Sequence, residues 1–185
     1  MAGFAILFDP DSTPQAREND FLSLLQRTAR FRQLELPALQ AVGTSCTVAK
    51  LDAPSSSYPG IARDEETRSW LLATGTVVSL VSDNPSNRSL DSLLRDFIAN
   101  GVEALERYDG HFGLVIYDAQ EETLSVISDP LGCFAVYYAQ RGHQVFVSAS
   151  ALAVAHQVDS KPDTLMLECF LRTGRAHGEK TLGGM

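Results

Sequence analysis

The sequence predicts an antiparallel α+β domain, and three observations carry that prediction. Between Tyr108 and Leu152 lie four short apolar runs, Phe112–Tyr117, Leu124–Ile127, Phe134–Tyr138 and Val145–Val147, each followed by a polar or glycine-bearing break. That is the pattern of an antiparallel meander. The breaks are of hairpin length and hold Asp, Gln, Glu, Pro and Gly, which turn the backbone at low steric cost, so three successive hairpins are expected. Leu114, Ile116, Leu124 and Val126 alternate with smaller or polar neighbours, but Val115 and Ile127 break the alternation; a sheet covered on both faces follows. Helical periodicity elsewhere supplies the cover.

The chain has 185 residues, 44% of them apolar, enough for one domain with its own core and too few for two ordinary ones. A formal charge of -8 with a pI near 4.9 repels a nucleic-acid backbone, since the densest basic cluster, Arg172 to Arg175, holds only two cations. Cys46, Cys133 and Cys169 are odd in number and far apart, which suggests neither a disulfide framework nor a zinc site. No stretch has the length of a membrane span, and Met1 to Phe8 lacks the basic lead of a secretory signal. A cytoplasmic protein without membrane or nucleic-acid partners is expected.

Taken in order, Gly3 to Asp9 is a buried strand ending in a turn-rich DPDSTP. Thr13-Pro14 is a cap followed by a proline suited to the first helical position, and Phe21, Leu24, Leu25, Thr28 and Phe31 then recur at helical spacing. Arg17, Arg27, Arg30 and Arg32 are expected on the solvated face of that helix. Gly43 to Asp52 has strand composition, Ala53 to Arg68 that of a surface loop, and Trp70 to Val81 is again a strand. Ser89 to Glu106 is a helix with Leu90, Leu93, Leu94, Phe97, Ile98 and Leu105 on one face and Asn100-Gly101 as an interruption. Asp163 to Arg172 forms another, closed by Thr173-Gly174.

Three groups of residues in the meander also resemble a known family. Tyr108-Asp109-Gly110-His111-Phe112, then Ile116-Tyr117-Asp118, then Ser128-Asp129-Pro130-Leu131-Gly132 with Tyr137-Tyr138 five residues later, match the pattern LDGxFAxxxYD…xRDxxGxxPLYY. The pattern is that of the class II glutamine amidotransferase domain of the asparagine synthetase family. The resemblance is strong after Tyr108 and weak before it. It implies a four-layer αββα sandwich of the N-terminal-nucleophile (Ntn) hydrolase type, two stacked antiparallel sheets between helical layers, with residues 1–185 forming that single domain.

The same resemblance implies that the chemistry is missing. The family's nucleophile is a cysteine freed at the start of the first strand; here that place holds Ala2. The reaction needs a thiolate to attack the glutamine amide, with the chain's own amino group as base, and a methyl group can do neither. Where the family carries GHxRLSIxD, with an arginine that clamps the substrate carboxylate, this chain offers Lys50 or a plain strand residue; lysine lacks the planar fork. The family's VxNGEIYN, whose Asn and Gly form an oxyanion hole, corresponds to Val81 to Asn87, where Asn84 is either a displaced survivor or a turn residue before proline. The aspartate that holds the substrate amino group falls near Ser89, with Asp91 in the place of a family glutamate. Ser148 to His156 resembles FASEIKAL, with Ser148 or Ser150 matching its serine.

The functional expectation is a non-catalytic amidotransferase-like domain that supports an ATP-dependent, amide-forming synthetase of the asparagine synthetase, β-lactam synthetase or lasso-peptide cyclase type. No cofactor is expected in this chain. ATP and Mg are expected only in a partner synthetase domain, in cis or in trans, because the SGGxDS loop that would bind them is absent; a homodimer also stays open. Two other readings compete. Gly43-Thr44 could be a self-cleavage point that frees Thr44 as nucleophile, and the former glutamine pocket could bind a small amino acid without turnover. His111, His143, His156 and His177 share no metal-ligand spacing, Asp109-Gly110-His111 suits a hairpin turn, and Cys133 suits a small buried hydrophobe.

Overall fold

A computed structural model describes residues 3–32, 36, 40–42, 45–51, 61–80 and 90–174. Strands β1 (Gly3–Phe8), β2 (Gln40–Val42), β3 (Cys46–Leu51), β8 (Tyr137–Arg141) and β9 (Gln144–Ser148) form one antiparallel sheet in the order β2-β3-β1-β9-β8. A second antiparallel sheet has the order β4-β5-β6-β7, from β4 (Ile61–Arg63), β5 (Trp70–Ser79), β6 (Tyr108–Asp118) and β7 (Thr123–Ser128). The helices are α1 (Pro14–Arg32), α2 (Leu90–Asn100), α3 (Ala151–Gln157) and α4 (Thr164–Thr173), with a 3-10 helix at Gly101–Arg107.

Three apolar clusters separate four layers. Phe4, Ile6, Cys46, Val48 and Val147 of the first sheet meet Trp70, Leu72, Val115 and Tyr117 of the second. The alternate residues Ala5, Leu7, Ala49, Leu51 and Phe146 pack instead on Phe21, Leu24 and Leu25 of α1 and Ala153 and Val154 of α3. On the far side, Leu71, Ala73, Leu114 and Ile116 pack on Leu90, Leu93 and Leu94 of α2. The layers are therefore helix, sheet, sheet, helix, the expected αββα sandwich. Period-2 alternation explains why β1 and the Phe112–Tyr117 part of β6 are apolar: each side chain has a buried face to enter, whichever way it points.

Local chemistry sets the helix ends. Thr13 Oγ1 accepts the Ala16 N–H at 3.3 Å, capping α1 ahead of Pro14. Asp163 accepts the N–H groups of Leu165 and Met166 at 3.0 Å, and Gly174 closes α4 at φ 71, a left-handed position that glycine reaches without a Cβ penalty. The Asn100-Gly101 interruption is real: α2 stops at Asn100 and the chain continues as the 3-10 helix.

Several expectations are corrected. The meander is not one sheet. β6 and β7 form a hairpin in the second sheet, β8 and β9 a hairpin in the first, and residues 129–136 cross between them. The run beginning at Phe134 becomes a strand only at Tyr137, because Phe134 is drawn into the space between the sheets. Asp109-Gly110-His111 is not a turn either; it pairs with Thr76, Val77 and Val78 inside the β5–β6 ladder. Within the stretch expected to be loop, Ile61–Arg63 adds strand β4 to the edge of β5. Cys133 is exposed, held on the crossing turn with its side chain outside the core. Arg17 is 0% exposed: its guanidinium Nη1 donates to the carbonyls of Asp9 at 3.0 Å and Ser12 at 2.6 Å, tying the β1–α1 connection to the helix. Finally, α4 runs Thr164–Thr173, one residue later at each end than the expected Asp163 to Arg172, and has no buried residue.

Candidate functional site

The family resemblance puts its expected site at the start of β1. Ala2, Asn84 and Ser89 fall outside the described residues, as do Gly43 and Thr44. Lys50 is described: it sits on β3 directly opposite Phe4, 4% exposed, and alternation from Cys46 and Val48 puts it on the face toward the second sheet. Asp91, in contrast, is exposed in the first turn of α2.

Next to Phe4 the intersheet space is filled by aromatic packing. The rings of Phe4 and Phe134 stack with centroids 5.8 Å apart, and His111 leans on Phe134 at 5.7 Å. Gly113 makes this possible, for a Cβ there would stand 2.7 Å from Phe134 and 2.8 Å from Phe4. Sequence reasoning singled out neither Phe4, Gly113 nor Phe134 as a group. The signal was only partial: Phe134 follows Gly132 by two residues in a recognised motif, but nothing in the sequence brings Phe4 to it.

Asp129 anchors the turn that delivers Phe134. Its carboxylate is 3% exposed and accepts the N–H groups of Leu131 at 3.2 Å and Cys133 at 3.0 Å on Oδ1, and of Phe134 at 2.6 Å on Oδ2. Burial alone would raise its pKa, but the donors from Cys133, Phe134 and Leu131, with nearby His111, outweigh that and hold it below the ordinary carboxylate value. Gly132 completes the turn at φ 63, and its N–H reaches the Asp129 carbonyl at 2.8 Å. Asp129 is thus engaged in building the crossing, with its lone pairs directed at backbone.

The remaining motif residues also build structure. Gly110 has φ 130, and a Cβ there would lie 2.2 Å from the Thr76 carbonyl; only glycine lets the β5 and β6 backbones approach so closely. Phe112 is buried among the residues facing α2. Asp118 Oδ1 accepts the N–H of Gln120 at 2.9 Å and Glu121 at 3.3 Å, which forms the β6–β7 turn. Tyr137 packs against the α1 and α3 side of its sheet, while Tyr138, 71% exposed, faces out.

The serine question resolves into two roles. Ser148, at the end of β9, accepts the Ser150 N–H at 3.0 Å and lies 2.8 Å from Thr28 Oγ1, which in turn donates to the Leu24 carbonyl at 2.8 Å. With Thr28 already donating, Ser148 is the donor to it, so a directed chain of bonds joins α3, β9 and α1. Ser150 caps α3 by accepting from Ala153. Among the described residues no group of three His, Cys, Asp or Glu side chains is placed to hold a metal ion, and no helix is long and apolar enough to cross a membrane.

A comparison with solved structures finds this architecture in the glutamine phosphoribosylpyrophosphate (PRPP) amidotransferase from B. subtilis, complexed with ADP and GMP, at a TM-score of 0.51 and 15% identity. The similarity covers 85% of this chain and 43% of that one, so the chain spans less than half the length of that enzyme. The likeness shows a shared Ntn-hydrolase-like sandwich fold. Among curated proteins no match is found. The profile of a family described as a glutamine amidotransferase domain matches residues 84–183, a span that holds α2, the β6–β7 hairpin, the Asp129 crossing and the β8–β9 hairpin. With more than half of its 185 residues matched, the chain belongs to the glutamine amidotransferase domain family.

Proposed function

We propose that this chain is a class II amidotransferase-like domain that does not hydrolyse glutamine and that supports an ATP-dependent, amide-forming synthetase related to the asparagine synthetases. The observation that carries the proposal is Ala2, two residues before Phe4 at the head of β1, in the place of the family's cysteine. Glutamine hydrolysis by this route requires a thiolate to form the acyl intermediate, and alanine has no electron pair to offer. The motif residues support the same reading. Gly110, Asp118, Asp129 and Gly132 are engaged in ladders and turns, roles that preserve a fold whether or not a nucleophile is present. In this reading ATP and Mg2+ belong to the partner synthetase domain, and Lys50, Asn84 and Ser89 mark the remnant of a glutamine pocket. Synthetase partnership rests on family analogy.

The test is ammonia release from glutamine by the purified chain, with intact mass followed during exposure to a glutamine-mimicking electrophile. No ammonia and no covalent adduct are expected. An adduct at a defined residue, with ammonia release, would sink the proposal. A fragment beginning at Thr44 would instead favour the self-cleaving hydrolase, a reading weakened by the central place of β1 in its sheet, paired with β3 on one side and β9 on the other.

A further inference from the structure

Most strand edges in this sandwich are short or tied down. β2 and β4 have three residues each. On β8, Arg141 donates to Asp20 at 2.7 Å and to the Gln157 carbonyl at 2.9 Å, fastening that edge to α1 and to the end of α3. β7 differs. It is the outer strand of its sheet, six residues long, Thr-Leu-Ser-Val-Ile-Ser, with no proline and no charge. Proteins ordinarily blunt such an edge with charge, proline or a bulge, because its free backbone groups template another strand.

The register says which backbone groups of β7 have no strand partner among the described residues. The Asp129 N–H donates to the Phe112 carbonyl at 2.9 Å, extending the β6–β7 pairing by one step. In an antiparallel ladder the bonded positions alternate, so Thr123, Ser125 and Ile127 bond to β6. Leu124, Val126 and Ser128 therefore direct their N–H and C=O groups to the open side.

We infer that β7 is a self-association edge, at which a second copy of this chain adds its own β7 antiparallel and makes the sheet continuous across two molecules. A two-fold axis perpendicular to the sheet keeps each face with its like, so residues of the same parity meet. Centred on Val126, that axis pairs Val126 with its own copy and Leu124 with Ser128, using each outward-directed residue. Leu124 and Val126 are half-buried at the rim of the intersheet core, and the symmetric pairing joins the two rims. At the edge itself no like charges meet. The strand brings no charge of its own to the axis, and Glu122 falls opposite Pro130 of the second copy, not opposite a like charge.

The experiment is the mass of the full chain by sedimentation equilibrium from the micromolar to the near-millimolar range, on the wild type and two edge variants. Val126→Pro removes an N–H that points away from β6, which an edge strand tolerates. Ser125→Lys places a cation one residue from the axis, opposite Ile127 of the second copy, while its stem can reach solvent. The wild type is expected to rise from 20.1 kDa toward twice that mass, and either variant with an unchanged far-UV spectrum is expected to lose the dimer. A wild type that stays monomeric throughout overturns the inference. So does a dimer that persists in a folded variant, or a mass that grows past the dimer without closing.

Discussion

Three backbone N–H groups converge on the Asp129 carboxylate, and this arrangement fixes how the protein responds to acid. Asp129 is buried, yet its pKa lies below the ordinary 3.8 because the donors outweigh desolvation. Asp9 behaves alike: burial raises it, while Gln144, Ser12, the Asp11 N–H and Arg17 bring it below 3.8. A depressed carboxyl stabilises the folded state at every pH above its unfolded value and loses that contribution as pH falls through the folded value. Asp129→Asn keeps the shape and removes the charge, so it should lower the midpoint of urea unfolding at pH 7. The gap between variant and wild type should narrow below about pH 3.8. An unchanged midpoint at pH 7 would mean the turn holds without the carboxylate.

Tyr108 titrates at the other end of the scale. Burial, then the Asp96 charge and the hydrogen bond from Tyr108 Oη to Asp96 Oδ2 at 3.1 Å, push its phenol up to about 12. A raised pKa contributes stability that is complete below the unfolded value of 10 and is lost as pH rises toward 12. Phenolate absorbance should therefore include a late-ionising step, and Tyr108→Phe should remove that contribution. A titration of unaltered shape in Tyr108→Phe would refute the assignment.

Gly113 belongs to the scale of elements, because its missing Cβ is what lets the Asp129 crossing dock Phe134 against Phe4. Gly113→Ala would drive a methyl to 2.7 Å from one ring and 2.8 Å from the other. Overpacking of this kind costs about 1–3 kcal/mol. Adding Phe134→Leu to Gly113→Ala should recover part of the loss, measured as non-additivity in a double-mutant cycle; simple additivity would place the strain elsewhere. The same element shows what the sequence could and could not disclose. Apolar runs and turn residues located β6, β7, β8 and β9, since period and punctuation are local properties. They could not say that β7 and β8 lie in different sheets, because the choice between pairing and crossing is made by Phe134 reaching Phe4 across more than a hundred residues of chain. Arg17 and Cys133 were misjudged for a related reason. Burial of a cation under its own turn, and exposure of a thiol on one, are tertiary outcomes that composition does not record.

At the scale of the whole molecule, the four-layer sandwich was legible because the resemblance after Tyr108 is dense in residues with backbone duties: Gly110, Asp118, Asp129 and Gly132. The candidate pocket was less legible. Lys50 does lie on the intersheet face and opposite Phe4, but a single lysine within a strand does not mark the sequence strongly. Ala2 is the opposite case: its identity is plain from the sequence alone, and the proposed function turns on it.

β1 is the first strand in the chain and the central one in its sheet, flanked by β3 and by β9. Its pairing with β9 joins Ala5 to Ser148 and Phe8 to Val145, so β1 must wait for a strand far along the chain before its sheet can close. Contacts of such long sequence separation form slowly. During synthesis the second sheet, whose strands lie between Ile61 and Ser128, can assemble while β1 has β3 on one side and still lacks β9 on the other. Until β9 emerges, the side of β1 that will pair with it from Ala5 to Phe8 stays an unpaired edge, and the nascent chain is then most exposed to chaperone capture or misassociation.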